Sequence, residues 1–183
     1  MPLLVTFSAG VTGPWRIDRM NPVTGGALPP ATHLSVHEGH DAPATSSLWA
    51  LRGVTSNTRY ASRAEVAALQ ATQEGLGRPH ATRAALIPIR KTEAWWALAQ
   101  DERRAIFEER SRHTGIGLDY LPAVSRRLHH SRELGEPFDF LTWFEYAPEH
   151  TAAFEELVAK LRATEEWRYV DREVDSRLTR AAP

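Results

Sequence analysis

Apolar and polar positions along the 183-residue chain fall into short runs whose period alternates between two and about 3.6. Residues 2–8 (PLLVTFS), 14–19 (PWRIDR) and 48–54 (LWALRGV) read as strands. Between the last two, residues 21–47 are rich in Gly, Pro, Thr and His and are expected to form a long irregular connection. A connection of that length in a compact domain points to a lid, an interface arm or the remnant of a reduced domain. A helix is expected over 62–76, where Ser62 and Glu65 form a capping box and Gly75 and Gly77 stop the turn.

The second half is more regular. A strand at 83–90 leads into a helix from Thr92 to Thr114, capped by Thr92 and ended by Gly115 and Gly117. Strands at 123–131 and 138–146 follow, joined by a turn at Gly135, Glu136 and Pro137. A helix over 149–163 then sets Phe154, Leu157, Val158 and Leu161 on one stripe, before a closing strand through Tyr169, Val170 and Val174. The order β-α-β-β-α-β predicts an α+β fold with a ferredoxin-like unit.

Composition narrows the function classes. A net charge of −1 and a pI near 6.7 supply no basic field for nucleic acid or anionic lipid. Cysteine is absent, which excludes disulfides, thiolate ligation and cysteine nucleophiles, so any metal relies on His, Tyr, Met or carboxylates. No segment approaches the roughly 20 apolar residues that span a bilayer, and the start of the chain lacks the basic flank of a secretion signal, so a soluble cytoplasmic protein is expected.

Several side chains stand out as candidates for chemistry. His113 lies seven residues after Ile106, on the inward face of the acidic helix and near Trp95, Leu98 and Trp96; it is either a core histidine or a buried metal ligand. Such a ligand needs an acceptor on its second nitrogen. Glu166, just before the final strand, is a candidate, unless it is one of two solvated glutamates in TEEW. On the strand 123–131, Val124, Arg126, Leu128 and His130 share one face, which makes Arg126 the inward arginine and an anion clamp, with Arg127 pointing away. Gln73 offers a further polar group to the same cavity or lies on the helix surface, and of the adjacent Trp95 and Trp96 one is core or cofactor wall. His33, His37 and His40 have spacing compatible with zinc but no clear fourth ligand. The GLG and GIG runs complete no phosphate loop.

The ordered motifs KTEAWW, RHTGIG, RRLHHS, DFLTWFE and TEEW resemble the chlorite dismutase family in its short, dimeric subgroup, over roughly residues 48–175. The resemblance implies that residues 77–183 form a ferredoxin-like haem-binding domain and residues 1–76 a reduced, related one, their sheets making a barrel. It further implies haem b with His113 as proximal ligand of the iron, Glu166 as its hydrogen-bond partner and Arg126 as the distal arginine. Gln73 would line the distal side, with Tyr60, Lys91 and Trp95 near the haem or its propionates. The implied reaction converts chlorite to chloride and dioxygen through an oxo-ferryl haem and hypochlorite, with no nucleic-acid or membrane partner, in a homodimer. The competing expectations are a coproheme decarboxylase, which Arg126 argues against, and a non-enzymatic haem sensor or carrier.

Overall fold

In the computed structural model, the described residues are 2–40, 47–55, 62–72 and 74–182. Eight antiparallel strands close into a barrel: β1 (Leu4–Gly10), β2 (Trp15–Thr24), β3 (His33–Glu38), β4 (Trp49–Thr55), β5 (Arg83–Lys91), β6 (Val124–His130), β7 (Phe140–Tyr146) and β8 (Val170–Arg180). Around the ring they run β1-β3-β2-β8-β5-β7-β6-β4. Each half of the chain contributes four adjacent strands, and each half has the same internal order, its fourth strand beside its first, then its third, then its second. Helices interrupt the C-terminal half after β5 and after β7, giving the expected β-α-β-β-α-β unit. The halves join along β2 and β8, from Trp15↔Arg180 to Thr24↔Glu173, and at β4 and β6, through Val54↔His130 and Thr55↔His129.

The expected loop at 21–47 is corrected by this topology, because β2 runs on to Thr24 and β3 lies inside it. Beyond Met20, β2 pairs with β8 through its backbone while its side chains face solvent, so no apolar alternation marks that end. In β3 only Leu34 and Val36 face the core, too few to show among the surrounding glycines and prolines.

The expected helix 92–114 is broken into pieces. Thr92 does cap α2 (Glu93–Ala97), accepting from the Trp95 N–H at 3.3 Å, but the chain turns extended at Leu98 and restarts as α3 (Gln100–Arg104). Arg103 donates to the carbonyls of Trp95 and Trp96 at 3.0 and 2.7 Å, which satisfies the acceptors freed by the break. A widened π-helical stretch follows at Ala105–Arg110, then Arg112 in the left-handed region (φ 51°), and a new helix α4 spans His113–Asp119. Gly115 and Gly117 therefore sit inside a helix rather than ending one.

Two apolar layers result. Inside the barrel, Val5, Phe7, Leu34, Leu86, Trp143 and Leu178 pack together. Outside it, the opposite face of β5 and β7 meets α5 (Thr151–Arg162), with Ile87 and Phe144 against Phe154 and Leu157. That double burial is why β5 reads as an almost continuous apolar run. The capping box holds, Ser62 N–H to Glu65 at 2.6 Å and Glu65 N–H to Ser62 at 3.3 Å, on a helix α1 (Arg63–Thr72) shorter than expected. No helix among the described residues is long and apolar enough to cross a membrane.

Gly53 on β4 tests the packing inside the barrel. A Cβ there would lie 2.6 Å from His129 Cβ and 2.9 Å from Ser131 Oγ, both on buried residues. Gly53→Ala is expected to lower stability by about 1–3 kcal/mol, the usual cost of overpacking, read from urea denaturation; an unchanged midpoint would show that β4 and β6 separate freely.

Candidate functional site

The outer layer encloses a cavity of about 410 Å³, within the range of small-molecule sites. Ile87 and Ile89 of β5, Phe140 and Phe144 of β7, and Val66 and Leu69 of α1 form much of its apolar wall. A bidentate pair fastens α1 over it, Arg104 donating to both oxygens of Glu65 at 2.9 and 2.8 Å. Those hydrogen bonds hold the Glu65 carboxyl at about 2, burial opposing them.

At one wall three elements converge on a buried carboxylate. Glu166, in a short 3-10 turn at Glu165–Tyr169, is 3% exposed. Its Oε1 accepts from Lys91 Nζ at 2.7 Å, and its Oε2 lies 2.6 Å from His113 Nδ1. Ser111 Oγ accepts from the Glu166 backbone N–H at 3.0 Å. Burial pushes the Glu166 carboxyl up, but His113 and Lys91 outweigh it and hold it at about 2. Burial likewise draws the Lys91 ammonium down against the pull of Glu166, while its Nζ sits 4.3 Å over the Trp95 ring. An ionised carboxylate only accepts, so Nδ1 of His113 donates to it, which leaves Nε2 as the ring nitrogen available to a ligand.

His113 arrives here by a route the sequence hid. It opens α4 instead of closing the acidic helix, so its spacing from Ile106 has no bearing on its direction. Glu108 caps the new helix from the preceding stretch, accepting from the N–H groups of Thr114 at 2.7 Å and Gly115 at 3.3 Å. Phe107 stacks on the imidazole with centroids 4.5 Å apart.

Arg126 lines the same cavity. Its guanidinium lies against Gly117, where a Cβ would come within 3.3 Å of Arg126 Cζ, so glycine gives the arginine room beside α4. Burial lowers the Arg126 pKa, opposed by Glu108 and Glu166. Arg127 is drawn to the other face of β6, where it donates to His129 Nε2 at 3.0 Å and to Glu38 at 2.5 Å. His129 in turn packs edge-on against Phe7 in the barrel interior. Burial drives its pKa to about 4 and keeps it neutral.

The structure thus gathers His113, Glu166, Lys91, Trp95 and Arg126 around one cavity. Tyr60 and Gln73 lie outside the described residues. Among the described residues no three His, Asp or Glu side chains gather as a metal cage, His33 and His37 included; His40 shares in none either. One oriented imidazole facing a largely apolar cavity suits a metal that brings most of its own ligands. Sequence reasoning missed Glu108, Phe107 and Gly117, whose contacts exist only because the helix breaks at Arg112.

A profile of the chlorite dismutase family matches residues 35–181. The chain belongs to that family. A solved dimeric chlorite dismutase from Nitrobacter winogradskyi is 59% identical, covers 97% of this chain and 99% of its own, and superposes with a TM-score of 0.90. A mutant chlorite dismutase from Candidatus Nitrospira defluvii, 22% identical over 99% of this chain and 91% of its own, shares the fold with a TM-score of 0.67. The curated chlorite dismutase of Ideonella dechloratans is 34% identical over 84 residues, 46% of this chain; the match spans about a quarter of that relative's length (27%).

Two outcomes follow from the geometry. Glu108→Ala should cost about 1–2 kcal/mol of stability through the lost cap of α4, measured by denaturant unfolding; an unchanged midpoint would mean that α4 needs no cap. The Glu166 carboxyl sits at about 2 when folded against an ordinary 4.5, so the unfolded chain binds more protons between those values. Stability from this group is full above the ordinary value and falls as pH drops through that window. In an acid titration followed by near-ultraviolet ellipticity, Glu166→Gln should lose less stability there than the wild type; parallel curves would place the acid sensitivity elsewhere.

Proposed function

We propose that this protein is a haem b-dependent chlorite dismutase that works as a homodimer. The observation that carries the reading is the 2.6 Å contact from His113 Nδ1 to a buried, lysine-held Glu166 beside a cavity that also holds Arg126. Support comes from family membership and from the 59% identity to a dimeric chlorite dismutase along nearly the whole chain. The equal strand order of the two halves supports reading residues 1–76 and 77–183 as two related units; among the described residues no helix interrupts the four strands of the first.

In this reading His113 binds the iron through Nε2 and the apolar walls hold the macrocycle, with Trp95 completing the floor beneath Lys91. Lys91 acts on the site by anchoring Glu166. Gln73 and Tyr60 are proposed beside the haem on the resemblance alone. Bound there, haem supplies the redox chemistry that converts chlorite to chloride and dioxygen. Glu166 keeps the proton on Nδ1 and strengthens His113 as a donor. Arg126 would draw the chlorite anion into a cavity of low polarity and hinder the escape of oxychlorine anions from it. The enclosing α1 limits water at the same place.

An oxygen electrode tests the reading. Haem-loaded protein should evolve dioxygen on adding chlorite, and His113→Ala should lose both haem and activity. Arg126→Ala should keep its haem spectrum while kcat/KM falls roughly tenfold or more, the effect of losing a charged hydrogen bond of about 1.5–3 kcal/mol. It should also leak more hypochlorite to a chlorination trap, with Arg126→Lys in between. No dioxygen from the haem-loaded protein would overturn the proposal.

A further inference from the structure

The turn that carries Glu166 delivers a second contact to His113. Trp167, its neighbour, lies nearly parallel to the imidazole, with centroids 6.2 Å apart and an interplanar angle of 27°. Its indole is not free to turn, because Nε1 donates to Glu173 Oε1 at 2.7 Å. Glu173, on β8, is 1% exposed, and its other oxygen accepts from Arg162 Nε at 2.8 Å and Nη2 at 2.5 Å. Arg162 reaches Asp175 as well, at 2.8 Å. An unbroken chain of charge-assisted bonds therefore runs from the end of α5, through β8, to the ring beside the candidate ligand.

Asp175 is shared with Arg177, which donates to both of its oxygens, so Arg162 depends on Oε2 of Glu173, and Oε1 is left to hold the indole. Lys91, Glu166 and Ser111 fix one side of the turn, and the bond from Trp167 to Glu173 fixes the other. With both in place the turn cannot rotate its carboxylate away from Nδ1 without breaking a buried hydrogen bond. We infer that Glu173 is a positioning residue for His113, acting through Trp167. The inference rests on the haem reading above.

The test uses protein loaded with haemin and two readouts, the rate of haem transfer to excess apomyoglobin and the ferric electron paramagnetic resonance spectrum. Glu173→Gln offers one carbonyl oxygen to two donors, the indole and Arg162, so its haem loss should fall between those of wild type and Glu173→Ala. Glu173→Ala frees the indole and should lose haem roughly tenfold faster, with a broadened, more rhombic signal from a less fixed imidazole. Trp167→Phe cuts the same tie while leaving the Arg162 pair intact, so it tests the inference even if Glu173→Ala fails to fold; it should shift both readouts in the same direction. Wild-type haem loss and spectrum in Trp167→Phe, with His113→Ala still losing haem, would overturn the tie alone. Failure of the wild type to bind haemin would overturn the haem reading instead.

Discussion

A carboxylate taken out of water is costly unless each of its oxygens has a partner, and the arrangement of this site depends on how Glu166 meets that requirement. Lys91 takes one oxygen and His113 the other. Each of the three belongs to a different element: the end of β5, the first residue of α4 and the turn before β8. The ion pair therefore does two things at once. It sews helical connections onto the barrel, and it sets the tautomer of an imidazole on the cavity wall. Losing Lys91 would leave a buried charge with one partner, so the lysine is a structural condition for the histidine's chemistry although it does not touch the imidazole's free nitrogen.

The barrel explains why there is a cavity to serve. Strands of the C-terminal half carry apolar side chains on both faces, one filling the interior and the other roofed by α4 and α5. The N-terminal half presents much of β2 to solvent instead. It contributes Thr55 of β4 and α1, fastened by Glu65 and Arg104, so that the N-terminal half supplies the cover and the double-buried half the floor.

Much of this was legible in the residues. Period-two runs located seven strands, the stripe from Phe154 to Leu161 located α5, and alternation on β6 put Arg126 and Arg127 on opposite faces, as their contacts show. The solvent-facing end of β2 beyond Met20 and short β3 were hidden because backbone pairing leaves no apolar signature. The break between Leu98 and His113 was hidden for a different reason: Arg103 and Glu108 look like ordinary helix-surface charges, and only in three dimensions do they satisfy the freed carbonyls and N–H groups. His113 thus reaches the cavity wall from the start of a helix, not from the helix end that the spacing predicts. Gly117 was misread as a stop because the arginine packed on it comes from a strand.

The measurement that bears most directly on the Glu166 account is the ferric/ferrous potential of the haem-loaded protein, by spectroelectrochemistry, in wild type and Glu166→Gln. If the ionised carboxylate on Nδ1 governs the donor strength of His113, removing its charge raises the potential while haem stays bound. An unchanged potential would contradict the account, and would reduce Glu166 to a buried partner of Lys91 with no hold on the chemistry of His113.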